Sequence, residues 1–296
     1  MRLNIIFIAL IAMSTPPQYL SAQKPKSDFD WQGHRGSRGL MPENTIPAFL
    51  KGLELGVKTL ELDLAVSADN QLVISHEPWL NHDICSKADG SPVTKEEAES
   101  LTIIKMTAAE LKKCDCGSTG NPRFPEQQKM AAYKPTLSEM VEAVKQYCAE
   151  NKRPLPYFNI EIKSQPEWDG KYTPSVPAFA KLVVDELNML KIKELSSVQS
   201  FDPRALEAVK KLDKTVTTVF LVENMKGLKA NLKLLTFKPD IYSPYYKLVS
   251  QKTVKSCHKM GIKIIPWTVN EVSDMQKMIA LGVDGIITDY PNRIVK

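Results

Sequence analysis

The chain has 296 residues, 43% of them hydrophobic and 25% charged, with a formal net charge of +5. That balance excludes a disordered chain, the unpatterned glycines and prolines exclude a collagen-like or low-complexity one, and the length allows one large domain or two ordinary ones. The one long apolar run, Ile5–Met13, is too short to span a bilayer, and lysines and arginines scattered without a basic-aromatic module argue against nucleic acid as a partner.

Arg2 precedes the apolar stretch Leu3–Met13, Pro16 and Pro17 break it, and Leu20-Ser21-Ala22-Gln23 follows with small residues. This is the pattern of a secretory signal peptide over residues 1–22. The mature chain, residues 23–296, is then expected in the periplasm or outside the cell, with no stable membrane anchor. That compartment permits disulfides. The five cysteines, Cys85, Cys114, Cys116, Cys148 and Cys257, leave at least one unpaired within the chain. Cys85 with Cys114 or Cys116 is the expected bridge, because the three share one irregular segment. A zinc site built from His82, Cys85, Cys114 and Cys116 is disfavoured by the tight Cys-x-Cys spacing.

Beyond the leader, β-branched runs alternate with amphipathic stretches. Strands are expected at Trp31–Gly33, Thr59–Val66, Tyr157–Lys163, Ser197–Phe201, Thr217–Val222, Asp240–Ser243, Lys263–Val269 and Gly285–Thr288. Helices are expected at Thr45–Leu55, Leu137–Glu150, Val176–Leu190, Pro203–Leu212, Met225–Leu235, Val249–Met260 and Val272–Leu281. Asp202 before Pro203 is a helix start, and Gly261 and Gly282 suit left-handed C-caps. Eight strands, each but the last followed by a helix or a long connection, predict an α/β fold of the (β/α)₈ or TIM type. The absence of a Gly-rich dinucleotide loop weakens the competing doubly wound sheet. Residues 78–134 break the alternation with several prolines, Asp89-Gly90 and three cysteines, and read as an insertion over the barrel mouth.

Polar residues collect where strands of such a barrel end. Gly33-His34-Arg35-Gly36 follows the first strand, and Arg35 suits bidentate capture of an oxyanion. Pro42-Glu43-Asn44-Thr45 opens the first helix, with Asn44 as its expected N-cap. In Thr59-Leu60-Glu61-Leu62-Asp63-Leu64, period two puts Glu61 and Asp63 on the face opposite the leucines, which is the barrel interior. Two inward carboxylates are costly unless a cation or a proton sits between them, and a bound divalent cation is favoured over a pair of structural salt bridges. Ser67-Ala68-Asp69-Asn70 is a turn. A four-residue loop there would pair Val66 with Gln71 and bring His76 opposite Glu61. Asn159-Ile160-Glu161-Ile162-Lys163 adds a third carboxylate, Glu161, and a cation, Lys163, on the same face. Metal-assisted phosphodiester hydrolysis suits this set: a cation polarises phosphoryl oxygens, Arg35 and Lys163 stabilise developing charge, and His34 and His76 supply acid and base. Trp267 offers a pocket wall, and Asp289 reads as a loop cap.

Taken together, these motifs resemble the glycerophosphodiester phosphodiesterase family, in its secreted or periplasmic bacterial form. The resemblance runs in order through His34-Arg35-Gly36, Glu43-Asn44-Thr45, Glu61-x-Asp63, His76, Glu161-x-Lys163, Gln199-Ser200-Phe201, Trp267-Thr268-Val269-Asn270 and Asp284-Gly285-Ile286-Ile287-Thr288-Asp289. It implies a TIM barrel that hydrolyses glycerophosphodiesters to glycerol 3-phosphate and an alcohol, often through a cyclic phosphate. It also implies His34 and His76 as the acid/base pair, and Glu61, Asp63 and Glu161 as ligands of one divalent cation, Ca²⁺ or Mg²⁺. Arg35 and Lys163 would hold the phosphate. One departure stands out: the family usually has Asp directly after the second histidine, where this chain has Glu77. Competing readings are a phospholipase relative acting on an intact lipid, a catalytically silent phosphate-binding protein, and a glycosidase using Glu61 and Glu161, which would leave Arg35 and Lys163 without a task.

Overall fold

The computed structural model describes residue 25 and residues 27–295, so the expected signal peptide lies outside the described residues. Nine strands form one sheet: β1 (Asp30–Gly33), β2 (Thr59–Val66), β3 (Leu72–Ile74), β4 (Tyr157–Ile162), β5 (Ser196–Ser200), β6 (Thr217–Val222), β7 (Ile241–Pro244), β8 (Lys263–Ile264) and β9 (Gly285–Thr288). Their order is β8-β7-β6-β5-β4-β2-β1-β9, all parallel, with β3 antiparallel to β2. Backbone bonds from Asp284 to Ile264, Ile287 to Pro266 and Val269 to Ile287 close the circle between β8 and β9. This is a (β/α)₈ barrel, and its strand ends carry the side chains of interest.

Eight α-helices are described: α1 (Ile46–Leu55), α2 (Ala108–Leu111), α3 (Leu137–Glu150), α4 (Val176–Met189), α5 (Pro203–Leu212), α6 (Leu228–Leu232), α7 (Gln251–Lys259) and α8 (Val272–Leu281). Local chemistry explains their ends. Thr136 and Glu139 form a capping box at α3, and Asp202 accepts from the Arg204 N–H at α5. Gly282 closes α8 in the left-handed region. The leucines of β2 pack with Phe158, Ile160 and Ile162 of β4 against the surrounding helices, so the alternating Glu61, Asp63 and Glu161 face the lumen.

Several expectations change. The stretch expected as a strand over Lys263–Val269 is a two-residue strand that continues as bridging backbone, because Pro266 has no N–H for a ladder. The helix expected over Met225–Leu235 shrinks to α6, since Gly227 (φ +81°) holds the chain outside helical space until Leu228. The β2–β3 loop has five residues, not four: Val66 pairs with Leu72 and Ala65 with Val73. That one-residue slip removes the expected pairing of Glu61 with His76, and Ser75 N bonds the Asp63 carbonyl instead. His76 reaches the same cavity by a different route, from the irregular segment just after β3.

In segment 78–134 a disulfide joins Cys85 to Cys116, so neither offers a thiolate to a metal; Cys114, Cys148 and Cys257 are free and buried. Leu80, Ile84, Val93, Ile103 and Leu111 form a small core against Ala65 and Val73 of the hairpin. The segment reaches the barrel mouth through Asn121, which donates to Glu43, and Gln127, which donates to the Arg38 carbonyl. Phe124 lies under the Arg38 guanidinium.

Candidate active site

The turn after β1 sets the site's first wall. Arg35 (φ +49°) and Gly36 (φ +85°) both take left-handed backbone, and a Cβ on Gly36 would stand 2.6 Å from the Ala48 backbone, so only glycine fits. This turn aims the Arg35 N–H at Glu61 Oε2, 2.8 Å away. Asn44 is also left-handed (φ +58°) and is not the cap expected of it; Thr45 caps α1. Asn44 Nδ2 instead donates to Asp63 Oδ2 at 2.9 Å, and its Oδ1 is buried with no partner.

Glu61, Asp63 and Glu161 are buried, and they offer oxygens within 4.8 Å of one another. Register puts Asp63 directly beside Glu161. Burial and mutual repulsion raise the Glu61 carboxyl far above the ordinary carboxylate range and push Glu161 up to about 7, although Lys163 opposes the latter. Asp63 goes the other way: against its own burial, Arg35, Lys163 and the hydrogen bond from Asn44 hold it ionised. Three hard oxygen donors that repel one another, with an unpartnered amide oxygen on the neighbouring Asn44, fit a divalent cation of the oxygen-seeking class.

Both histidines are neutral in this setting. Burial lowers His34, helped by Arg35 and Arg38 and opposed by Asp289. Burial, Arg35 and Lys163 bring His76 down to about 4. Each ring is gripped at Nδ1, His34 by Asp289 Oδ1 at 2.6 Å and His76 by Glu77 Oε1 at 2.7 Å. Asp289 is therefore more than a loop cap. Nε2 of His34 lies 4.0 Å from Glu61 Oε2, on the side of the carboxylates. Glu77, the departure from the family pattern, takes the position of an orienting carboxylate.

Arg35 is deeper in the network than an anion clamp would be. Its Nη1 bonds Glu43 Oε1 at 2.5 Å and its Nε is 3.3 Å from Asp63. Arg38 braces the other oxygen of Glu43, and the two guanidiniums hold that carboxyl down to about 2 against its burial. Lys163 Nζ sits 3.0 Å from Glu161 and 3.9 Å from Asp63. Below the carboxylates, amides form an ordered stack. Asn159 donates to Gln32 and Gln199, and Gln199 Nε2 donates to Glu61 Oε1 at 2.7 Å. Trp267 is fixed by its indole N–H on the Ser243 carbonyl and meets Phe201 edge to face.

All eight residues singled out in the sequence (His34, Arg35, Glu61, Asp63, His76, Glu161, Lys163 and Trp267) line one cavity of about 230 Å³. It also takes in Arg38, Gln199, Phe201 and Glu223, to which the sequence reading gave no role. Gln199 and Asp289 stood within quoted motifs, but the partner that gives each its task is more than 130 residues away in the chain. Among the described residues the carboxylate trio is the one cluster of metal-ligating groups.

The sequence model of the glycerophosphoryl diester phosphodiesterase family matches residues 34–293. A glycerophosphodiester phosphodiesterase of Caldanaerobacter subterraneus subsp. tengcongensis is 30% identical over 264 residues, covering 88% of this chain and 94% of that one. A solved structure from Silicibacter pomeroyi, assigned as a glycerophosphoryl diester phosphodiesterase, superposes with a TM-score of 0.80 at 28% identity, covering 90% and 92% of the two chains. An Oleispira antarctica phosphodiesterase, solved with the product sn-glycerol-3-phosphate, shares the fold with a TM-score of 0.70 at 24% identity, covering 90% and 94%. The chain belongs to the glycerophosphoryl diester phosphodiesterase family.

Proposed function

We propose that this enzyme hydrolyses glycerophosphodiesters to glycerol 3-phosphate and an alcohol, and that it does so in the periplasm or outside the cell. The observation that carries the reading is the convergence of two carboxylate-oriented histidines on one small cavity that also holds three mutually repelling carboxylates. Glu61, Asp63 and Glu161 would hold a single Ca²⁺ or Mg²⁺, which supplies Lewis-acid polarisation of the phosphoryl oxygens when bound. Asp289 fixes the proton of His34 on Nδ1 and leaves Nε2 free to take one; Glu77 does the same for His76. One imidazole takes the proton of the attacking hydroxyl at Nε2. The other must carry a proton on both nitrogens once the anionic diester is bound, its carboxylate partner stabilising that cation, and gives its Nε2 proton to the departing alcohol oxygen. Attack of water on the cyclic phosphate then runs the two transfers in reverse and restores both rings. Lys163, with the part of Arg35 not bound to Glu43 and Asp63, meets the phosphate. Trp267 and Phe201 form an aromatic wall for the glycerol or alcohol carbons. A polar cavity of this size favours a water-soluble diester over an intact lipid.

The test is release of glycerol 3-phosphate from glycerophosphocholine, glycerophosphoethanolamine and glycerophosphoinositol, with and without EDTA. Loss of activity on chelation, restored by Ca²⁺ or Mg²⁺, is expected, as is loss in His34→Ala and His76→Ala. Full activity in thoroughly chelated enzyme would overturn the metal assignment, and an unchanged rate in either histidine variant would overturn the acid/base pair. For the location, N-terminal sequencing of protein from a periplasmic extract should begin at Gln23.

A further inference from the structure

Charge on the outside of the barrel is uneven. Several helices balance their lysines locally: Lys51 with Glu54 on α1, Lys145 with Glu142 on α3, Lys181 with Asp185 on α4. Residues 224–263, which carry α6 and α7, break this habit. They contain nine lysines, no arginine and one acidic residue, Asp240, and that residue is taken by Lys210 of α5. All nine lysines are exposed, and among the described residues none of them makes an ion pair.

Helical spacing arranges them. Lys252, Lys255 and Lys259 recur at i, i+3 and i+7 along α7, and Lys229 and Lys233 at i, i+4 along α6 and its C-cap. Like charges stacked this way weaken the helices that carry them, so local stability does not account for the pattern. Large apolar side chains stand out among the lysines: Met225 is 93% exposed, Leu234 52% and Met260 39%.

We propose that the α6–α7 face docks the protein peripherally on an anionic lipid bilayer. Lysines are strongly hydrated point charges suited to a diffuse anionic surface, whereas the forked contacts that read nucleic acid use arginine, which this stretch lacks. Interspersed methionine and leucine tips can enter the headgroup boundary, which a charged protein surface does not offer. Among the described residues no helix is long and apolar enough to cross a membrane. Met225 and Lys226 stand in the loop that also supplies Glu223 to the cavity, so the face extends to the rim of the mouth. The proposal does not depend on the reaction assigned above.

Co-sedimentation of the full chain with phosphatidylcholine vesicles, with and without phosphatidylglycerol, tests it. Binding is expected only to the anionic vesicles and should fall steeply at high salt. The triple variant Lys252→Gln, Lys255→Gln, Lys259→Gln should bind about a hundredfold more weakly, at about fivefold per lysine. A control triple, Lys95→Gln, Lys105→Gln, Lys113→Gln, removes the same charge from segment 78–134 and should bind like the unmodified chain. Residues 23–296, without the apolar N-terminal stretch, should bind in the same way, and Tm checks that each variant is folded. Three results would overturn the proposal: equal binding to neutral and anionic vesicles, an equal loss in the control triple, or displacement from the vesicles by a short DNA duplex at matched phosphate concentration.

Discussion

Replacing Asp289 by Asn tests how the structure prepares His34. Asp289 Oδ1 is 2.6 Å from His34 Nδ1, while Oδ2 accepts from Asn270 Nδ2 at 2.8 Å. Asn270 cannot turn round to accommodate a change, because its Oδ1 accepts the Asp289 backbone N–H at 3.0 Å. In Asp289→Asn the new amide oxygen must therefore face Asn270, and the new amide nitrogen faces His34. An N–H donated to Nδ1 moves the single imidazole proton to Nε2, the nitrogen on the carboxylate side, which can then no longer take one. In Asp289→Ala no tautomer is imposed. What disappears there is one charge-assisted hydrogen bond, about 1.5–3 kcal/mol, or roughly 10- to 150-fold in rate. The Asn variant should lose more, on the order of 10³- to 10⁴-fold, as buried Asp–His pairs do when the wrong tautomer is enforced. The assay is kcat and KM for glycerol 3-phosphate release, with Tm as a check on folding. The expected order is unmodified, then Ala, then Asn, with KM little changed. An Asn variant at least as active as the Ala variant would refute the tautomer argument.

Gln199→Leu removes the N–H that Glu61 Oε1 accepts at 2.7 Å; affinity for Ca²⁺ or Mg²⁺, read by calorimetry, should fall about tenfold, and an unchanged affinity would separate Glu61 from the cation. Cys85→Ser opens a bridge that spans 31 residues, which should cost about 3–4 kcal/mol by loop entropy; equal Tm values for variant and oxidised unmodified protein would contradict this. Burial raises the Glu186 carboxyl on α4 from 4.5 to about 7. The ionised form is the one the fold disfavours, so this group's share of stability is complete below about pH 4.5 and is lost as pH rises through 7. Glu186→Gln should match the unmodified protein near pH 4.5 and be about 1–2 kcal/mol more stable at pH 8, after allowance for partial exposure. A Tm difference that does not change with pH would rule this out.

Periodicity made the barrel legible, because each strand's alternation needs only its own residues: leucines outward, Glu61, Asp63 and Glu161 inward. Register was not legible. The β2–β3 loop differs from the expected one by a single residue, and nothing local distinguishes the two, yet the slip changes every cross-strand partner. Short-range chemistry also hides long-range purpose. Asn44 has the residue type and position of an N-cap, and only the fold reveals that Thr45 does the capping while Asn44 serves Asp63 from a left-handed backbone. Arg35 illustrates the converse. Its residue type suggests a free anion clamp, whereas a buried guanidinium must first satisfy the carboxylates around it, here Glu43 and Asp63.

That requirement extends to the whole cavity. Besides Glu223, which is exposed at the rim, six carboxylates surround it: Glu43, Glu61, Asp63, Glu77, Glu161 and Asp289. Four basic side chains accompany them, Arg35, Arg38, Lys163 and Lys134, the last with its pKa lowered by burial. Both histidines are held neutral by burial and by those same cations. With those six carboxyls ionised and all four cations charged, the inner site carries an excess of two negative charges in a largely desolvated space, a costly arrangement by itself. The excess falls on Glu61 and Glu161, the two carboxyls whose protonation burial favours most. A divalent cation held by Glu61, Asp63 and Glu161 would offset that excess, and it would compete with Lys163 for Glu161. The ammonium would then be free to meet an incoming phosphodiester, whose own negative charge an unbalanced acidic site would repel.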